Sequence, residues 1–518
     1  MTNPVRSNAW NMGGTFDNPD LLWYAKGVAA MMARPLNNRN SWWFFAAIHG
    51  HYLPGTDDQV SGYPGWQAIP PAPMVPTTPL PSQADMNTFW DQCQHGSWFF
   101  PPWHRGYLIA LEATIREAVV AQGGPATWAL PYWNYLGPGN QYEIPPAFTQ
   151  STLPDGITPN PLFVTARYGP NGDGNIFVQV PPVSSICMNN TRYTVLTSNV
   201  VPQPGFGGPI TGFSHQGRRV AANALEMNPH NQVHGMVGGQ VSSSLWGLMA
   251  DPGIAALDPI FYLHHANIDR MWASWNAKGN ANLTLPAWLN GPAAAGERPF
   301  VMPMTNGTVW TFTPQMVDDL SKLDYTYDDL GGFAVPPVGP SVLAVRLQKL
   351  GAPEMVGQVP EPREDTAVDA ELLGAHDGSL MVKSSGARAQ VRLDSGARER
   401  LSNSLRAASL ASLPDRAYLQ LENVRGTQDA QNLQVFVNGH SVGHLGLFGL
   451  RRASQKDTAH GGSGLTFVID ITDVIDSLQL QQGLAAETLD VKILPSSVVY
   501  ADSPISVGRV SVYREFHK

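Results

Sequence analysis

Nine of the fourteen histidines precede residue 270, and they gather in a few short windows. In NPHNQVHGMVGG, Asn228 can cap a helix whose first turn begins at Pro229, and Gly238 with Gly239 would end it. His230 and His234 then stand at i and i+4, pointing the same way about 6 Å apart along the axis, so that two imidazoles can share one metal ion. The window LDPIFYLHHANIDRMWASWNAKG repeats this grammar with Asp258 as cap, Pro259 at the first helical position and Gly279 as the stop. Its apolar residues predict a buried helix, in which His264 and His265 are costly unless their nitrogens are satisfied, and a metal ion satisfies one of them. Asp269, one turn after His265, could support a ligating imidazole from behind or pair with Arg270.

A third window, CQHGSWFFPPWHRGYLIALEATIREAV, places Pro102 before a helix with Leu108, Leu111, Ile115 and Val119 on one side. His104 sits on its first turn and His95 in the loop before it. The helical run SWWFFAAIHG ends at His49 with His51 close behind, and one of these two can supply a further ligand. Imidazole-only coordination suits copper, zinc, iron and nickel. No carboxylate at ligand spacing is present in these windows to bridge two ions, as a two-metal hydrolase normally requires.

A chain of 518 residues exceeds one hydrophobic core, so a large domain with a smaller companion is expected. Apolar residues at 43% and charged residues at 14% predict a folded globule, and 50 Gly with 44 Pro predict many loops. A net charge of -9 without a long basic run argues against nucleic acid or an anionic membrane as partner, leaving a small, nearly uncharged substrate. Cys93 and Cys187 alone cannot build a disulfide framework or a thiolate metal site. The opening MTNPVRSNAW has no charged-then-apolar leader and no run of about 18 apolar residues follows, so a cytoplasmic protein is the expectation.

Residues 1–335 read as helices joined by irregular loops, such as the Pro-dense stretch from Ile69 to Pro81. The Pro-rich segment Val335 to Ser341 marks a seam, and residues 336–400 read as linker and irregular chain. From 401 to 518 the runs AYLQLENV, NLQVFVNG, GLTFVIDIT, ETLDVKIL and ISVGRVSVYREF alternate with period two, predicting a small antiparallel β domain.

CQHGSWFFPPWHR and DPIFYLHHANIDRMW resemble the two copper signatures of tyrosinases, catechol oxidases and the related haemocyanins, over roughly residues 1 to 330. Tyr325 and Tyr327 in DYTYDDLGG resemble the Tyr-x-Tyr marker that closes the catalytic domain in that family. The resemblance implies a mainly helical catalytic domain with a four-helix bundle around two copper ions, held by His49, His95 and His104 on one side and His230, His234 and His265 on the other. The family spacing to Asp269 selects His265 over His264, and the same comparison with the family sets His51 aside. It further implies that Glu226 and Asn231 hold a water that takes the phenol proton, that Cys93 forms a thioether with His95, and that Phe261 shields the copper pair.

The C-terminal segment LQVFVNGHSVGHLGLFG resembles the shielding domain of latent plant and fungal polyphenol oxidases, with Phe448 as a lid residue in the substrate pocket. The expected activity is ortho-hydroxylation of monophenols and oxidation of catechols to o-quinones with dioxygen. A strict catechol oxidase, a haemocyanin-like oxygen carrier and a zinc hydrolase are the competing readings. Small phenols and O2 are the expected partners, with no nucleic acid or membrane, and a homo-oligomer is allowed for.

Overall fold

The computed structural model describes residues 3–53, 75–194, 205–215, 222–330, 342–352, 368–409, 412–455 and 462–517. Six helices organise the first part: α1 (Pro19–Met32), α2 (Trp42–His49), α3 (Gln83–Phe89), α4 (Phe100–Ala121), α5 (Asn231–Gly238) and α6 (Pro259–Ala277). Their starts follow from local chemistry. Asn18, Ser41 and Asp258 each turn a side-chain oxygen onto a backbone N–H of the first turn of α1, α2 and α6, and Pro19 and Pro259 occupy positions where no donor is needed. Gly239 at φ 66° and Gly279 at φ 90° stand just past α5 and α6, where the left-handed backbone favours glycine.

Helices α2, α4, α5 and α6 form the bundle. All eight residues of α2 and nearly all of α6 are buried, so these helices are covered around their whole circumference. Three ribbons trim the bundle: β1 (Val5–Arg6) parallel to β6 (Thr326–Tyr327), β2 (Gln240–Ser242) with β3 (Leu245–Trp246), and β4 (Phe300–Pro303) with β5 (Val309–Phe312).

Two local expectations are corrected. Asn228 is extended and caps nothing of its own helix: its side chain accepts from the Ser184 N–H at 3.0 Å and donates to the Pro182 carbonyl. A wide turn, Glu226–His230, leads into α5, and His230 is its last residue. Helix α4 starts at Phe100, before both prolines, so His104 lies on its second turn.

The second part is a nine-stranded antiparallel sheet of β7 (Val368–Ala375), β8 (Leu380–Val382), β9 (Ala387–Leu393), β10 (Arg416–Arg425), β11 (Asn432–Val437), β12 (His440–Gly446), β13 (Leu465–Asp470), β14 (Thr488–Pro495) and β15 (Ile505–His517). The order is β12-β11-β14-β9-β7-β15-β10-β13, with β8 also on β15. The sheet curls, bringing Gly443 of β12 against the Ile469 side chain of β13. In β14, Leu489, Val491 and Ile493 are buried while Asp490 and Lys492 face outward, as the alternation predicts.

The boundary at 400 is corrected: β7, β8 and β9, placed in the expected linker, belong to this sheet. In β9 the inward residues Ala389, Val391 and Leu393 alternate with Arg388, Gln390 and Arg392, and small or charged neighbours hide the period. The seam from Val335 to Ser341 lies outside the described residues.

The two parts meet over α5. Gln232 donates to the His444 carbonyl at 2.7 Å, and Gly446 is seated where a side chain would strike the Asn231 carbonyl carbon at 2.6 Å. A side-chain carbon on Gly235 would likewise stand 3.0 Å from the Ala430 carbonyl oxygen. Phe448, in the loop after β12, packs into the core of the helical part rather than the core of its own sheet.

Candidate metal centre

Two buried groups of imidazoles face each other inside the bundle. His49 from the end of α2, His95 from the loop before α4 and His104 from α4 form one group with Cys93. His230, His234 and the adjacent pair His264 and His265 form the other. The groups touch: the His104 and His265 rings are stacked 4.4 Å apart.

Four of these rings have a settled tautomer. The Nδ1 of His49, His104 and His234 lies 2.8–2.9 Å from the carbonyl oxygens of Pro252, Phe100 and Met249, and that of His230 lies 2.8 Å from the Asn231 side-chain oxygen. An oxygen without a hydrogen only accepts, so each Nδ1 carries the proton and each Nε2 presents a bare lone pair inward. His265 Nε2 then stands 3.3 Å from His230 Nε2 and 3.4 Å from His234 Nε2. Burial first, and the neighbouring imidazoles second, push the affinity of His230, His234 and His265 for a proton far down, and burial lowers His104 to about 3 against the pull of its bond to Phe100. Neutral nitrogens converging at this spacing match ligands of one metal ion, since two nitrogens at about 2.0 Å from an ion and at a tetrahedral angle are about 3.3 Å apart. The donor set fits copper.

Three phenylalanines wall the site. Phe261 contacts His49 at 4.8 Å and His265 at 4.2 Å between ring centres, so it covers both groups from one side. Phe100, which the sequence reading did not single out, lies 4.4 Å from His104 and 4.8 Å from His230. Phe448 stacks on His234 at 4.0 Å, with the planes 19° apart, and reaches His95 and His230 at 5.8 and 5.7 Å.

Cys93 Sγ lies 3.4 and 3.6 Å from the two nitrogens of His95 and 3.3 Å from His104 Nε2, and burial raises its thiol well above the usual range. Glu226 is buried, and its carboxylate accepts the Gly96 N–H on both oxygens, at 2.9 and 3.1 Å. Desolvation raises it to about 8 against the pull of these hydrogen bonds. Asn231 spends its side-chain oxygen on His230.

Asp269 supports no imidazole, nor does it pair with Arg270. It accepts from Arg105, Arg6, Tyr325 and Tyr327, which ties α6 to α4, β1 and β6 from behind. Among the described residues His265 Nδ1 has no hydrogen-bond partner, so that ring is not fixed from the rear as backbone carbonyls fix His49, His104 and His234. His51, which the family comparison set aside, turns away to Asp91 at 3.1 Å.

Residues 39–278 match the family model of the common central domain of tyrosinase, and residues 369–515 match a domain of unknown function. Tyrosinase HcTyr1 of Hahella sp. (strain CCB-MM4) is 31% identical over 96% of this chain and 97% of its own length. The chain belongs to the tyrosinase family. It is therefore an oxidoreductase of the type-3 copper class, with two copper ions as cofactor. Among solved structures, a recombinant latent aurone synthase superposes over 100% of this chain and 90% of its own with a TM-score of 0.57 at 19% identity, and latent apple tyrosinase over 99% and 97% with 0.54 at 18%. These share with the chain the arrangement of a helical part and a C-terminal domain.

The sequence reading missed Asn223, whose amide nitrogen donates to Glu226 at 3.0 Å and whose oxygen accepts the Glu226 N–H at 2.6 Å. The signal was present: Asn223 and Glu226 stand at the spacing of a capping box. No helix of the described residues is long and apolar enough to cross a membrane.

Proposed function

We propose that the chain is a tyrosinase in the full sense: it hydroxylates monophenols beside the phenol oxygen and oxidises the resulting catechols to o-quinones with O2. His49, His95 and His104 hold one copper; His230, His234 and His265 hold the other. When bound, the copper pair supplies dioxygen binding and two-electron chemistry. The protein supplies the rest. A phenol has a pKa near 10 and must lose its proton to react as phenolate, which calls for a base at the site. The observation that supports this reading is Glu226, a buried carboxylate anchored to the backbone one residue past His95.

A strict catechol oxidase is the second reading, favoured by one contact: the Asn231 side-chain oxygen is taken up by His230 Nδ1. Assays on 4-methylphenol and 4-methylcatechol, with copper content measured, separate them. Oxidation of both supports the tyrosinase; oxidation of the catechol alone supports the second reading.

We further infer that the C-terminal domain keeps the enzyme latent. Phe448 has the shape of a phenol without its hydroxyl, and its ring lies on His234 where a substrate ring would stack. Cys93, close to both nitrogens of the His95 ring, is proposed to form a thioether with a ring carbon, the S–H and ring C–H hydrogens passing to dioxygen as the two-electron oxidant; the product is detectable as a peptide lighter by two hydrogens that survives reductant.

A further inference from the structure

A carboxylate that is to take a proton from a substrate must be held in one orientation, and two separate stretches of chain hold Glu226. The Gly96 N–H donates to Oε2 at 2.9 Å and, as the longer half of a shared contact, to Oε1 at 3.1 Å. The Asn223 amide nitrogen adds a second donor to Oε2 at 3.0 Å. Oε2 is thus taken by two donors, whereas Oε1 keeps lone-pair capacity for a phenol hydroxyl or a water. Asn223 is itself fully buried, and its oxygen is fixed by the Glu226 N–H, so its amide cannot turn away without losing both bonds.

We propose that Asn223 is a positioning residue for monophenol hydroxylation, selecting which oxygen of Glu226 faces the substrate. The inference rests on the reading of Glu226 as the group that takes the phenol proton. Without the Asn223 donor, only the Gly96 N–H, shared between both oxygens, holds the carboxylate, and it no longer distinguishes Oε1 from Oε2. Misplacement of a reacting group by about 1 Å commonly costs on the order of a hundredfold in rate. Catechol oxidation, whose substrate carries a second and vicinal hydroxyl, depends less on this orientation.

A purely structural role also exists for Asn223, because its oxygen caps the turn that leads to α5. Serine separates the two roles, since its hydroxyl can still accept from the Glu226 N–H but is too short to reach Oε2. In the full-length, copper-loaded enzyme, N223S should lower kcat on 4-methylphenol at least tenfold with little change in KM, and lower kcat on 4-methylcatechol far less. The double variant N223S/E226Q should be no slower on the monophenol than E226Q alone, because both act through one group.

An N223S enzyme with an unchanged ratio of the two activities, or with equal losses on both, overturns the proposal even if N223A fails to fold. E226Q measured in parallel locates the failure. If E226Q lowers the monophenol-to-catechol ratio and N223S does not, the positioning role alone is wrong. If E226Q leaves the ratio unchanged, the reading of Glu226 is wrong and the role of Asn223 falls with it.

Discussion

The histidines differ in how they are held from behind, and that difference decides what each substitution does. His234 is anchored by the Met249 carbonyl, and its Nε2 is one of three that converge. His234→Ala or His265→Ala should leave one copper per chain and no measurable catechol turnover, because two imidazoles do not hold the ion in a competent geometry. His264→Phe should retain two coppers, and elemental analysis of the three variants checks the assignment of His265 over its neighbour. That choice was not legible from helical periodicity, since adjacent residues on a fully buried helix are both compatible with a site. Glu226→Gln should lower monophenol hydroxylation by about a hundredfold and catechol oxidation by far less, read as kcat on the two substrates. The site residues legible in the sequence were those with a recurring spacing. Asn223 and Phe100 were harder to find because a cap and an apolar helix start are common for reasons unrelated to catalysis.

Helices α4 and α6 carry proposed ligands of different metal ions, so their separation must be fixed by something other than the metals. Asp269 does this by binding Arg105 of α4 and Arg6 of β1, with Tyr325 and Tyr327 closing the ring. Burial alone would raise this carboxylate; Arg105 and Arg6 instead hold it below the ordinary range. Asp269→Asn leaves two buried guanidinium groups short of their counter-charge, and should cost about 3 kcal/mol, read as a lower Tm in the copper-free protein. Element starts were legible where a cap or a proline marked them, as at Asp258 and Pro259. They were misplaced at Asn228, whose side chain is claimed by the distant loop at Ser184, a tertiary contact that no local pattern encodes.

At the scale of the molecule, the proposed closure of the C-terminal domain is an equilibrium with identifiable terms. Burying the Phe448 ring favours the closed state by about 2 kcal/mol, roughly thirtyfold in the closed-to-open ratio. Phe448→Ala, or a chain ending near residue 341, should therefore raise catechol turnover of copper-loaded enzyme; unchanged turnover in both would show that the domain does not gate the site. Proton binding adds a second term. Asp429 is buried beside Arg451, with Tyr52, Arg452 and Asp251 of the same seam close by, and burial followed by the Asp251 carboxylate pushes it up to about 7. A carboxylate whose pKa is higher when covered than when solvated favours closure most strongly below about pH 4. That advantage falls, by at most tenfold per unit, as pH rises to about 7, and is level above it. Activation should grow over that interval, and Asp429→Asn should flatten the profile relative to the unsubstituted enzyme.

The same curled sheet has a consequence in time. Strand β15 lies between β7 and β10 yet follows both in the chain, so until it emerges from the ribosome the hydrogen-bonded ladder is in two pieces, β12-β11-β14-β9-β7 and β10-β13, with β8 still waiting for its partner strand. The helical bundle, with all the histidines of both groups, precedes the whole sheet in the chain and is synthesised first. If the bundle folds as it is made, its histidines stay uncovered until the sheet is complete, and the order of elements along the chain leaves the cofactor a way in before the door is hung.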